Sequence, residues 1–153
     1  MEPSINLYQI PFDIKANKID VRPAPFHKKI NQEFAVDFAL PLSTPILAAE
    51  NGTIKEVIDS FGPGESDESF AHLCNLVCIE HANDEISTYV HLQKGTSVTV
   101  GERIVKGQEI GKSGNSGYTT YPHLHFYVER AKEVIPIRFG NKIIEKDDLI
   151  KRH

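Results

Sequence analysis

Short runs of alternating apolar and polar residues, each closed within a few positions by Gly, Pro or Asn, recur along the whole chain, and helical spacing of apolar residues is scarce. Side chains at i and i+2 share one face of a strand, so such runs bury one face and leave the other open. The chain therefore reads as an all-β, mainly antiparallel fold. Candidate strands are Phe34 to Leu40, Thr53 to Ile58, Leu76 to His81, Ile86 to Leu92, Glu109 to Ser113 and His125 to Val128. Ser60 to Ser69, rich in Gly, Pro, Ser, Asp and Glu, reads as an exposed loop that could overhang a cleft. From Val98 to Gly111, glycines alternate with β-branched residues, the pattern of a turn-rich strand crossing between two sheets. Residues 1–25 carry Pro3, Pro11, Pro23 and Pro25 and read as an irregular arm, and Lys146 to Arg152 as a short final helix.

Composition excludes several classes. A chain of 153 residues, 40% hydrophobic and 25% charged, fits one compact domain. No apolar run approaches the roughly 20 residues of a membrane-spanning helix. The net charge of -4, from 17 Lys+Arg against 21 Asp+Glu, argues against nucleic acid as a partner. Cys74 and Cys78 would stand roughly 13 Å apart on a strand, beyond disulfide reach, and read as free, buried thiols. Met1 to Asp20 lacks the basic end and apolar core of a signal peptide, the reading of a cytoplasmic chain or of one whose leader has been removed.

Three stretches carry the chemistry. His123-Leu124-His125 is an H-x-H pair leading into Phe126-Tyr127-Val128, so on a strand both imidazoles face away from Leu124, Phe126 and Val128. In Phe34 to Leu40, Asp37 shares a face with Ala35 and Ala39, opposite Val36 and Phe38. A carboxylate there needs a cationic partner or a metal. In Ile86 to Leu92, Tyr89 and His91 share a face opposite Thr88, Val90 and Leu92. With His27, ten positions before Asp37, the chain offers imidazoles and one carboxylate, a ligand set that suits zinc. Spacing alone does not choose which of these side chains bind. His81 reads as a turn or packing residue, His72 as solvated and His153 as a tail residue.

Ser113 to Phe126, with its Ser-Gly-Asn-Ser-Gly opening and its His-Leu-His close, resembles the signature of the M23, or lysostaphin-type, zinc metallopeptidases. His27 with Phe34 to Phe38, Pro45 to Ile54, Asn75 to His81, Tyr89 to Leu92 and the glycine crossover occur in that family's order, from about Phe26 to Val128. The resemblance implies a barrel-sandwich-like peptidase domain over residues 26–130, preceded by the arm and followed by a C-terminal extension, 131–153. It implies one Zn2+ held by His27, Asp37 and His125, with His91 and His123 facing the bound water as catalytic groups. Asn115 and Tyr121, in the loop before the H-x-H pair, would line the substrate groove. Many members place the first ligand four positions before the Asp, so the interval of ten resembles a longer-looped subgroup, with His72 the nearest substitute for His27.

The activity implied by the resemblance is that of an endopeptidase acting on glycine- or D-amino-acid-containing peptides of bacterial peptidoglycan, in the cell envelope or outside the cell. No H-E-x-x-H helix supplies a glutamate base, so His91 and His123 are the candidates for base and acid. Two other readings stand beside it. A non-catalytic regulator or binding module on the same fold would usually lack several of the five residues present here. A phosphocarrier or lipoyl-type domain would leave Asp37 and the H-x-H pair unexplained.

Overall fold

The computed structural model describes residues 1–63, 73–117 and 121–140. Its strands are β1 (Leu7–Tyr8), β2 (Val21–Arg22), β3 (Val36–Ala39), β4 (Pro45–Leu47), β5 (Gly52–Ile58), β6 (Leu76–Glu80), β7 (Glu85–Val90), β8 (Arg103–Ile104), β9 (Glu109–Lys112), β10 (His123–Arg130), β11 (Glu133–Ile135) and β12 (Arg138–Phe139). Helix is confined, among the described residues, to one turn, α1 (Phe26–Lys29), and a 3-10 turn at Ala82–Asp84. The fold is therefore all-β and mainly antiparallel, as the alternating runs imply. No helix among the described residues is long and apolar enough to cross a membrane. The final helix expected at Lys146 to Arg152, His72, and most of the loop after Ser60 lie outside the described residues.

The main sheet runs β2-β3-β10-β7-β6-β5-β8, with β11 paired to β10. β4 and β9 form a second, two-stranded sheet, and β1 lies parallel to β12. The core fills the space between the sheets: Val36, Phe38, Val77, Tyr89, Leu124, Phe126 and Val128 from the large one meet Ile46 and Ile110 from the small one. The glycine-rich stretch crosses between sheets as expected, because β8 pairs with β5 and β9 with β4. Gly101 and Gly107, at φ +91° and +90°, make the reversals on either side of β8 that an L side chain would strain.

Six strands escape the alternation argument because they are only two or three residues long: β1, β2, β4, β8, β11 and β12. Their pairing comes from neighbours. Tyr8, Phe12 and Val21 of the N-terminal segment belong to the core. The segment is tied down by Glu85, a fully buried carboxylate that accepts from the Ile5 and Asn6 amides at 2.6 and 3.2 Å, from the Tyr8 hydroxyl at 3.0 Å and from Arg130 at 2.9 Å. Both cysteines are free, but they are half-buried rather than buried, and only Cys78 lies on β6. Burial pushes the Cys78 thiol up to about 11.

Candidate metal centre

The central strands place the polar side chains. On β10, Leu124, Phe126 and Val128 enter the core, which turns His123, His125 and Tyr127 to the opposite face. The β3–β10 register sets His125 directly across from Asp37, so both side chains leave the sheet on that face within reach of each other. They open into a cleft of about 680 Å³ whose lining includes His27, Asp37, His91, Tyr121, His123 and His125. Of the first 25 residues, Pro23, Ala24 and Pro25 line it as well.

His27 reaches the cleft from α1. Pro25 stands at the helix start, where a missing N–H costs nothing, and the single turn carries His27 into the interior, 4% exposed. His27 Nε2 lies 3.2 Å from Asp37 Oδ1, and His125 Nδ1 lies 2.9 Å from the same oxygen. The three donor atoms fall within 4.8 Å of one another. Tetrahedral zinc with bonds of about 2.0–2.1 Å wants its ligand atoms about 3.3 Å apart, so the spacing fits a single small cation. The donor chemistry fits too. Burial raises the Asp37 carboxyl, but hydrogen-bonding contact with His125 and His27 outweighs it and holds the group well below the usual carboxylate range. Burial lowers His125 despite the neighbouring carboxylate. A carboxylate beside a neutral imidazole is the state in which these groups bind a metal.

His91 arrives by a different route from the one alternation suggests. The expectation set Tyr89 and His91 on one face, against Val90. Instead Tyr89 is buried in the core, and Val90 and His91 both line the cleft. The cause is backbone: His91 has φ +71°, and the amides of His91 and Leu92 both donate to the Asn75 carbonyl, at 3.0 and 3.3 Å. This local bulge rotates one residue out of phase. Asn75 is fully buried and also bonds Phe61, Leu92 and Ser116, so the kink is held from several sides.

The His91 and His123 rings pack against each other at a tilt of 57°, with centroids 4.5 Å apart. His91 Nδ1 meets the Ser116 carbonyl, and His123 Nδ1 meets the Tyr121 carbonyl at 2.8 Å. A carbonyl only accepts, so in each neutral ring Nδ1 carries the proton and Nε2 keeps its lone pair. His123 Nε2 lies 3.8 Å from Asp37 Oδ2. Burial, reinforced by His123 and His125, pushes His91 down to about 3. Gly117, at φ +85°, lets the Ser116 carbonyl approach: a Cβ there would stand 2.7 Å from Cys74 Cβ.

Tyr121 borders the cleft with its ring 4.6 Å from that of His123, and its buried hydroxyl has no partner among the described residues. Asn115 is half-buried in the preceding loop and is not part of the cleft lining. Gln32, which no sequence motif singles out, places its Oε1 2.6 Å from His125 Nε2. A lone carboxamide in a polar turn carries no pattern that would announce it.

Comparison with known proteins identifies the family. The profile of peptidase family M23 matches residues 31–136, a span that begins just after His27. Peptidoglycan DD-endopeptidase ShyA of Vibrio cholerae is 32% identical over 113 residues, 74% of this chain and 24% of its own length. Lysostaphin of Staphylococcus simulans is 34% identical over 105 residues, 68% of this chain and 19% of its own. An uncharacterized metalloprotease of Buchnera aphidicola is 34% identical over 87% of this chain and 31% of its own length. The chain thus spans at most about a third of these relatives. Among solved structures, the catalytic domain of S. simulans lysostaphin superposes with a TM-score of 0.55 at 26% identity, covering 87% of this chain and 88% of that one. A zinc-containing peptidase from V. cholerae superposes at 0.61 and 26% identity, over 85% of this chain and 39% of that one. With the profile covering most of the chain and the buried His and Asp side chains gathered in one cleft, this protein belongs to peptidase family M23.

Proposed function

We propose that the chain is a zinc-dependent endopeptidase domain that hydrolyses peptide cross-links of bacterial peptidoglycan. The observation that carries this reading is the convergence of His27 Nε2, Asp37 Oδ1 and His125 Nδ1 in the cleft, with two further imidazoles beside them. These three atoms would hold the ion. A zinc ion held by them would supply Lewis acidity, enough to bring the pKa of a water from ~15.7 to roughly 7 and to polarise a peptide carbonyl.

The chain's own residues handle the protons. His91 and His123 each keep Nδ1–H on a main-chain carbonyl, which aims a free Nε2 lone pair at the cleft. Such an imidazole takes the proton of an attacking water and returns it to the leaving amine. Tyr121 lines the cleft, and its hydroxyl, without a partner among the described residues, would meet the substrate's main chain once a side-chain rotation exposes it. The name of ShyA, a peptidoglycan DD-endopeptidase, supports peptidoglycan as substrate class and the cell envelope or its exterior as the place of action.

The test compares His125→Ala with His123→Ala on purified peptidoglycan. Elemental analysis should find about one zinc per wild-type chain, none in His125→Ala, and an undiminished content in His123→Ala, with hydrolysis lost in both variants. A wild-type protein without zinc, or either variant cleaving at the wild-type rate, overturns the reading.

A further inference from the structure

The loop between His27 and Asp37 carries a residue the catalytic reading does not use. α1 ends at Lys29, Asn31 takes a left-handed φ of +58°, and the Gln32 amide donates to the His27 carbonyl at 2.8 Å. That turn sets the Gln32 carboxamide over His125, with Oε1 2.6 Å from Nε2. The His125 ring thus lies between two oxygens, Gln32 Oε1 at Nε2 and Asp37 Oδ1 at Nδ1.

A neutral imidazole has one N–H and one lone pair, so it cannot donate to both oxygens. If Nε2–H donates to Gln32, the Nδ1 lone pair faces the Asp37 carboxylate at 2.9 Å, a contact between two acceptors that a cation shared by them relieves. If instead Nδ1–H donates to Asp37, the ring offers no lone pair to an ion at that atom. The choice of tautomer is therefore the choice between a metal ligand and an ordinary ion-pair partner, and Gln32 is the side chain that sees it.

We propose that Gln32 is a positioning residue for the metal centre: its carboxamide oxygen holds the proton of His125 on Nε2 and so presents Nδ1 as a ligand. This rests on the zinc reading of the cleft. It also gives the ten-residue interval between His27 and Asp37 a task, since the same loop delivers one ligand from α1 and orients a second on β10 from Gln32. The carboxamide bonds only through its side chain here, and the loop's turn is made by main-chain bonds that survive its replacement.

The experiment measures zinc affinity by competition with a chromogenic chelator for wild type, Gln32→Leu, Gln32→Met and Gln32→Glu. Thermal unfolding of the zinc-free proteins serves as the folding control. Removing the acceptor should weaken zinc binding roughly 10–100-fold in Gln32→Leu and Gln32→Met without a matching loss of zinc-free stability. Gln32→Glu, which restores an acceptor at Nε2, should bind at least as tightly as wild type. In the zinc-loaded wild type, imidazole 15N spectra should show His125 protonated on Nε2. Wild-type affinity in both Gln32→Leu and Gln32→Met, or a Gln32→Glu as weak as they are, overturns the role of Gln32 and leaves the zinc site standing. A wild type that binds no zinc removes the site itself.

Discussion

His91 and His123 meet ring to ring with centroids 4.5 Å apart, and each is steered by a main-chain carbonyl at Nδ1. The consequence is a pair of Nε2 lone pairs presented to one cleft by two segments far apart in sequence. Neither ring belongs to the His27, Asp37 and His125 cluster, so replacing either should separate chemistry from metal binding. His91→Ala should keep its zinc and lose roughly 10²–10⁴-fold in peptidoglycan hydrolysis. A His91→Ala protein that loses zinc along with activity would place His91 among the ligands.

The Ser116 carbonyl reaches His91 because Gly117 has no side chain. Gly117→Ala puts a Cβ against Cys74 at a φ of +85°, and the strain should cost about 1–3 kcal/mol of stability. Because the displaced carbonyl also releases His91, hydrolysis should fall more than the unfolded fraction explains. Urea unfolding and turnover measured on the same preparation check both parts.

Glu85 should be among the costliest single losses in the fold. Its carboxylate meets two backbone amides, the Tyr8 hydroxyl and Arg130 in a site with no solvent exposure. Glu85→Ala leaves Arg130 without that partner and buried donors unmet, an effect of about 3–5 kcal/mol. The unfolding midpoint in urea measures it, and limited proteolysis should cut first near Ile5 to Tyr8, the segment Glu85 holds.

Stability should fall in mild acid through His81. Its Nδ1–H donates to the Asn51 carbonyl and its Nε2 accepts from the Ser87 hydroxyl, which in turn accepts from Tyr89. Burial holds this imidazole below the ordinary histidine value of about 6.5, so on acidification the unfolded chain takes up the proton first. The contribution of neutral His81 is complete above about pH 6.5 and is lost as the pH drops toward the folded-state value. In His81→Gln that share of the pH dependence should vanish, so the wild-type and variant curves of stability against pH converge in acid.

Tyr121 should act on substrate rather than on metal. Tyr121→Phe removes a hydroxyl that has no partner among the described residues, so zinc content and unfolding midpoint should hold while hydrolysis falls about tenfold or more. Unchanged turnover would confine Tyr121 to packing against His123.

Period-two patterning made the long strands legible, because β3, β5, β6, β7 and β10 bury one face along several residues. The same pattern put Asp37 and the H-x-H pair on cleft-facing positions before any register was known. It failed at His91, where a left-handed φ interrupts the alternation, and such a φ in a non-glycine residue leaves no trace in residue type. It also missed the two-residue strands, whose pairing is supplied by neighbours rather than by their own composition.

The residues themselves determined which chemistry is available: imidazoles, one carboxylate among small side chains, and strands with an apolar face to bury. Only the tertiary structure decided that Asp37 lies across from His125, that His27 reaches both from a single helical turn, and that Gln32 meets the far side of the His125 ring. The physical reason is that a site of this kind depends on distances between atoms on different strands. Those distances are set by sheet register and loop closure, which belong to the packed molecule as a whole.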